Sequence, residues 1–322
     1  MNDGTVHIVA TGGTIASHFN GNEWISLTGA DLIGELSGLQ VAVQVTDVAS
    51  GPSSNLSVDD MVKIVAEINV AIRQGALGVV VLHGTDTLEL TAFVADLLLG
   101  SRSSVPVVFT GSMRVHSHDE PDGPLNIERS IVLAASPEAR DRGVLVCLNG
   151  EIHSARRITK IDASTVRAFT SAPFLAVGGF VGETPIFVGP SERMTVETKT
   201  LEPAVTLLTA YPGMSSELFE VAVAGARGIV LEVFGDLNVP VALWAPIHRA
   251  SQAGVLVVLA SRPYTSTFDD EGLALMGAIG AGGLSPQKAR LATMAALGST
   301  PDRESAILFL KSIRDHALGE FE

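Results

Sequence analysis

With 322 residues, 46% of them apolar and 17% charged, the chain is too long for one small core and too apolar for a disordered coil, so two packed α/β units of roughly 150 residues each are expected. Its 35 acidic and 21 basic side chains leave a formal charge of −14, a field that repels polyanions and argues against a nucleic-acid partner. Met1 to Ala10 carries no basic stretch or long apolar run, and no segment reaches the ~18 uninterrupted apolar residues of a membrane span, so a soluble, cytoplasmic protein is expected.

Short apolar runs closed by Gly, Thr or Ser and followed by helical patterns predict parallel strands in β-α-β units. The first, Val6 to Ala10, runs directly into Thr11-Gly12-Gly13-Thr14-Ile15-Ala16-Ser17. Paired glycines let the backbone approach a ligand closely, and the threonines set hydroxyls at the mouth of the sheet. Such a loop suits a nucleophile, but taken alone the heptad reads first as a tight β-α turn capped by Thr side chains. Neither G-x-G-x-x-G nor G-x-x-x-x-G-K-[ST] occurs there, which argues against a nucleotide loop and a dinucleotide-dependent oxidoreductase.

A helix is expected over Val58 to Arg73. A strand over Val79 to Leu82 follows, ending in His83-Gly84-Thr85-Asp86-Thr87 ahead of a helix to Leu99. Thr85 and Asp86 fit either a helix cap or a reactive pair. The strand Val105 to Thr110 ends in Thr110-Gly111-Ser112-Met113-Arg114, so three sheet-end loops carry Gly and hydroxyls where open α/β sheets bind ligands, and together they could wall one polar pocket. His116-Ser117-His118-Asp119-Glu120 offers metal-ligand types, but adjacent loop residues rarely aim at one centre, and a solvated loop without metal is expected. The strand Gly143 to Leu148 holds the only cysteine, Cys147, which excludes an internal disulfide and reads as a small hydrophobe. Lys160, one of five lysines, follows Arg156-Arg157-Ile158-Thr159. It is either a solvated charge or, beside Asp86 in a closed pocket, a base toward a hydroxyl or water.

Turn residues at Gly189-Pro190-Ser191-Glu192-Arg193 and a polar stretch to Glu202 mark a boundary: a first domain over 1–190, a linker over 191–204 and a second domain over 205–322. In the second, strands are expected at Val205 to Ala210, Gly228 to Val233 and Val255 to Ala260, with helices at Ser216 to Ala224 and Val241 to Ala253. The expected fold class is α/β, a larger N-terminal doubly wound, mostly parallel sheet followed by a smaller C-terminal α/β domain.

Ala10-Thr11-Gly12-Gly13-Thr14-Ile15-Ala16 and Leu82-His83-Gly84-Thr85-Asp86-Thr87-Leu88-Glu89 resemble the two signature segments of the bacterial L-asparaginase family. Thr110 to Arg114, Asp122-Gly123-Pro124-Leu125-Asn126, Arg142 to Val146 and Leu284-Ser285-Pro286-Gln287-Lys288-Ala289-Arg290 extend the resemblance, in order, over nearly the whole chain. It implies hydrolysis of L-asparagine to L-aspartate and ammonia, with minor glutaminase activity, through an acyl-threonine on Thr14. Thr85, Asp86 and Lys160 match the family's second catalytic group, in which lysine and threonine relay a proton and aspartate orients the set. The substrate's α-amine would be held by Asp86 and its carboxylate by the loop Ser53-Ser54-Asn55, with Gly13, Gly84, Thr85 and Ser112 also lining the site, and backbone amides near Thr14 and Thr85 would bind the oxyanion.

The resemblance further implies neither metal nor cofactor, and a homodimer or homotetramer in which Asn238 and Asp270 (or Glu271) reach a neighbouring site, although both also read as ordinary surface turns. One departure stands out. Where the family's mobile loop supplies a tyrosine that helps activate the nucleophile, this chain has Trp24, whose N–H cannot accept a proton, and its two tyrosines, Tyr211 and Tyr264, lie in the second half. A binding relative with weak or no turnover is therefore the alternative. The amidotransferase subunit that makes glutaminyl-tRNA fits less well, since here the T-G-G-T strand begins within the first ten residues.

Overall fold

The computed structural model describes residues 4–100, 104–189, 193–194, 196–263 and 270–318, with only the backbone of residue 270 and residues 315–318. The chain divides into two compact units, Met1–Thr195 and Val196–Glu322.

In the first unit the elements are β1 (Thr5–Ala10), the hairpin strands β2 (Ser17–Phe19) and β3 (Trp24–Ser26), α1 (Gly29–Gly34), β4 (Ala42–Asp47), α2 (Val58–Arg73), β5 (Gly78–Leu82), α3 (Leu88–Leu99), β6 (Val107–Thr110), α4 (Gly123–Ala135), β7 (Val144–Leu148), β8 (Glu151–Ser154), the short pair β9 (Thr159–Lys160) and β10 (Phe169–Thr170), and β11 (Gly178–Val181) with β12 (Thr184–Phe187). Eight strands form one sheet in the order β12-β11-β8-β7-β6-β5-β1-β4. The five from β7 to β4 are parallel, because helical crossovers return the chain to the same end between them. β8, β11 and β12 extend the sheet antiparallel.

Strands β5 (GVVVL) and β7 (VLVCL) are buried at every position, the near-continuous apolar pattern of a parallel strand covered on both faces. On one face Ile8, Val80, Leu82, Val108 and Cys147 pack against Leu32 of α1 and Ile127 and Ile131 of α4. Helices α2 and α3 lie on the other face. Capping boxes set two helix starts: Thr28 with Asp31 on α1, and Ser57 with Asp60 on α2, each satisfying amides that the first turn leaves unpaired. β7 begins one residue later than expected because Gly143 adopts φ +73, a left-handed conformation outside the strand region. β6 likewise starts at Val107, past Pro106. The parallel strands run in the chain-order pattern 2-1-3-4-5, which places the topological switch between β1 and β5.

The second unit contains β13 (Val205–Thr209), α5 (Ser216–Val223), β14 (Gly228–Val233), α6 (Trp244–Gln252), β15 (Leu256–Ser261), α7 (Asp270–Met276), β16 (Ala278–Gly280), α8 (Pro286–Ser299) and α9 (Arg303–Leu318). Its four strands pair in parallel in the order β13-β14-β15-β16. Phe219 of α5 and Ile247 of α6 join Ile229, Leu231, Val257 and Leu259 in one core. The helix expected over Val241 to Ala253 divides into a 3₁₀ turn, Val241–Leu243, and α6, with Pro246 in the first turn of α6, where its missing N–H costs nothing. The architecture is thus α/β, a larger mostly parallel sheet unit and a smaller one. Among the described residues no helix is long and apolar enough to cross a membrane.

Candidate active site

The loops that leave β1 and β5 meet at the switch point, and their glycines permit the meeting. Gly13 adopts φ +91, and a Cβ there would lie 2.3 Å from the Gly84 Cα, closer than atoms pack. Gly12 similarly faces the Gly51 backbone, so a third segment, the turn before α2, joins the cluster. A cleft of about 330 Å³ opens above this contact, lined by Gly13, Thr14 and Ser17, by Gly51 to Ser53, by Gly84 to Asp86, and by Trp24, Ile25 and Ser26 of β3.

Each hydroxyl has a separate task. Thr11 Oγ1 donates to the Leu82 carbonyl at 2.9 Å, tying β1 to β5, and Ser17 Oγ donates to the Gly13 carbonyl at 3.0 Å. Both are used to shape the loop. Thr14 heads a 3₁₀ turn, Thr14–Ala16; its hydroxyl has no protein partner among the described residues and lines the cleft. The backbone N–H groups of Thr14 and Thr85 also donate to no acceptor among the described residues.

Across the cleft Thr85 is buried, while the Asp86 side chain is 59% exposed. Lys160 on β9 reaches both: its Nζ donates to Thr85 Oγ1 at 3.0 Å and to Asp86 Oδ1 at 2.8 Å. Sequence reasoning missed what holds it there. The Lys160 backbone N–H donates to Glu89 Oε2 at 2.6 Å, and Glu89 lies in the first turn of α3.

Ser53 is buried, and its Oγ accepts from the Thr87 N–H at 3.3 Å, which leaves the hydroxyl hydrogen free to donate. Its neighbour Ser54 is exposed and does not line the cleft. Ser112 lies elsewhere. Its Oγ donates to the Arg114 carbonyl at 2.7 Å, and with Ile15, Glu35 and His116 it borders a separate cavity of about 130 Å³. Of the three sheet-end loops expected to wall one pocket, two do so; the third is fastened to α4, where Asp122 accepts from the Met113 and Arg114 N–H groups and Asn126 Nδ2 donates to the Gly111 carbonyl. The Asp122 to Asn126 motif is scaffolding.

The remaining candidates are engaged elsewhere. His116 Nε2 pairs with Glu35 Oε2 at 2.9 Å, Arg114 with Glu120, and His118 Nδ1 accepts from the Glu120 N–H. Burial pushes the Cys147 thiol up to about 12, which leaves no thiolate for chemistry at neutral pH. In the second unit, Asn238 Nδ2 donates to the Gly235 carbonyl at 2.7 Å within its own exposed turn; the Asp270 side chain lies outside the described residues. Tyr211 is exposed, and Tyr264 lies outside the described residues. No tyrosine is among the residues that line the cleft.

The family model described as Asparaginase, N-terminal, matches residues 5–191, and that described as Glutaminase/Asparaginase C-terminal domain matches residues 204–307. L-asparaginase 2 of Bacillus subtilis (strain 168) is 32% identical over 314 residues, 92% of this chain and 83% of its own. A probable periplasmic L-asparaginase of Haemophilus influenzae is 31% identical over 320 residues, covering 92% and 89%. Among solved structures, that of a probable cytoplasmic L-asparaginase from Campylobacter jejuni superposes with a TM-score of 0.84 at 28% identity, covering 98% of this chain and 99% of that one. With both family models matched in order over most of its length, and with the two signature loops closing on one cleft, the chain belongs to the bacterial L-asparaginase family of amide-hydrolysing enzymes.

Proposed function

We propose that the protein hydrolyses L-asparagine to L-aspartate and ammonia through an acyl-threonine intermediate on Thr14, with L-glutamine as a minor substrate. The observation that carries this reading is that Thr14, whose hydroxyl has no partner among the described residues, lines the same cleft as a threonine bonded to a lysine. Thr14 Oγ1 attacks the side-chain amide carbon, and the carbonyl oxygen becomes an oxyanion between the N–H groups of Thr14 and Thr85, each a donor of the kind that contributes roughly 3 kcal/mol in such sites. The hydroxyl proton passes by way of Thr85 toward Lys160. The same relay returns that proton to the amide nitrogen, which leaves as ammonia, and water then cleaves the ester. Dividing one difficult attack by water into two easier displacements is the gain of the covalent route.

Asp86, with one carboxylate oxygen beyond the Lys160 contact, takes the substrate α-ammonium. Ser53 donates its free hydrogen to the α-carboxylate. A fixed distance between these two anchors and Thr14 would favour the shorter asparagine side chain over glutamine. The working form is read as a cytoplasmic homodimer or homotetramer, with Asn238 and Asp270 as the candidates a neighbouring subunit would contribute.

The test is a coupled ammonia assay with L-Asn, D-Asn and L-Gln. Thr14→Ala is expected to reduce ammonia release to background with the melting temperature and aspartate binding unchanged. Full activity in that variant would remove Thr14 as nucleophile.

A further inference from the structure

His83 closes β5, is fully buried, and is used by none of the steps above. Its Nδ1 lies 2.8 Å from the carbonyl oxygen of the next residue, Gly84. A carbonyl only accepts, so Nδ1 carries the hydrogen and Nε2 is the bare nitrogen. That Nε2 has no partner among the described residues, and the ring sits against Phe109, with centroids 6.2 Å apart. A buried ring nitrogen left without a partner costs about 1–3 kcal/mol, so leucine or phenylalanine would fill the space at lower cost. The imidazole's one bond must therefore account for its presence.

The Gly84 C=O and the Thr85 N–H belong to one planar trans peptide and point in opposite directions. Holding the carbonyl down onto the buried imidazole turns the Thr85 N–H away from the interior, toward the side on which Gly84 and Thr85 line the cleft. Glycine at 84 makes this peptide easy to rotate, because without a Cβ it is not held by its own side chain. The bond from His83 supplies the restraint that the residue type lacks.

We propose that His83 is a positioning residue for the hydrolysis, locking the Gly84–Thr85 peptide so that the Thr85 N–H is preset to receive the oxyanion. This deepens the reading of the site given above and rests on it. Burial holds the imidazole down at about 4, so at neutral pH it is uncharged and its Nδ1–H stays a donor.

Three substitutions separate positioning from space filling. In His83→Asn the amide Nδ2 sits near the Nδ1 position and can donate to the Gly84 carbonyl. In His83→Gln the amide reaches the Nε2 position, where nothing waits, and His83→Leu donates nothing. The expected order of kcat is wild type, then Asn within about tenfold, then Gln and Leu lower by about 100-fold, with KM for L-Asn and the affinity for L-Asp within about threefold throughout. If the ring only fills space, retention of kcat follows side-chain volume, Gln and Leu match or exceed Asn, and the proposal is overturned. It is also overturned if kcat in folded Leu and Gln variants equals that of wild type. Should Leu fail to fold, the Asn-to-Gln comparison decides alone. Thr14→Ala, run in parallel, keeps the two readings apart: activity in Thr14→Ala removes the acyl-threonine mechanism, whereas an inactive Thr14→Ala beside a fully active His83→Gln removes only the role of His83.

Discussion

Single residues at this site do work that their positions in the chain only partly reveal. Thr11, Thr14 and Ser17 look alike within one heptad, yet two of them spend their hydroxyls on carbonyls and only Thr14 keeps its own for the cleft. Lys160 became a candidate through the resemblance, since a lysine after a basic run reads equally as a solvated charge and the segment itself does not show why it leaves the surface. Arg156 is buried near Asp96, and the Arg157 guanidinium stacks on Phe174 at 3.8 Å, so the run is partly internal, and Glu89 then fixes the Lys160 backbone. Glu89→Ala is expected to lower kcat by about 10- to 100-fold by loosening Lys160 against Thr85, since a displacement of the order of 1 Å can cost that much. Glu89→Gln, which keeps an acceptor oxygen, should retain most activity; steady-state kinetics on both variants checks the difference, and equal loss in both would assign the effect to charge.

At the scale of elements, the β2–β3 hairpin decides what the chain can offer in place of a tyrosine. Its strands pair Ser17 with Ser26 and Phe19 with Trp24, and the Phe19 and Trp24 rings lie 5.4 Å apart. The 115–118 loop fastens it: the His116 N–H donates to the Ser17 carbonyl, Ser117 Oγ accepts from the Phe19 N–H, and the His18 and His116 Nδ1 atoms lie 3.3 Å apart. The polar run His116 to Glu120, read from sequence as a solvated loop, is thus partly a support for the hairpin. Trp24 is 62% exposed and still lines the cleft, so a phenol at that position would face the same space. Trp24→Tyr is expected to raise kcat for L-Asn by about tenfold, less than the roughly 100-fold or more of an optimally placed proton acceptor, while keeping an aromatic contact with Phe19. An unchanged or reduced kcat would show that Thr14 is activated without help from the hairpin.

Across the whole molecule, buried histidines couple stability to pH. Burial lowers His7 and His153 as well as His83. For His83 the value falls from 6.5 to about 4 on folding, so above pH 6.5 both states are neutral and the group has no effect. As pH falls from 6.5 toward 4 only the unfolded chain takes the proton, and stability declines by about 3 kcal/mol over that window, at about 1.4 kcal/mol per unit. Below the folded value the loss is complete. Denaturant titrations of wild type and His83→Asn at pH 7.5 and pH 4.5 should therefore show wild type losing more on acidification; parallel losses would place the linkage in the other titrating groups. At this same scale the limits of the sequence are plain. Apolar runs and crossover helices determined the α/β class and the parallel centre of the sheet, because burial on both faces leaves marks in residue type, whereas the roles proposed for Thr14 and Thr85 came from resemblance to a family and not from the Gly-Thr loops themselves. The edge strand β4, half exposed along its length, and the antiparallel strands β8, β11 and β12 left fainter marks. Tertiary structure alone set Gly51 against Gly12 and sent Ser112 to a cavity apart from Ser53 and Trp24. It also placed His83 against the Gly84 carbonyl and Glu89 against the Lys160 N–H. Those assignments depend on strand order and on the direction of single hydrogen bonds, which no local pattern of residues encodes.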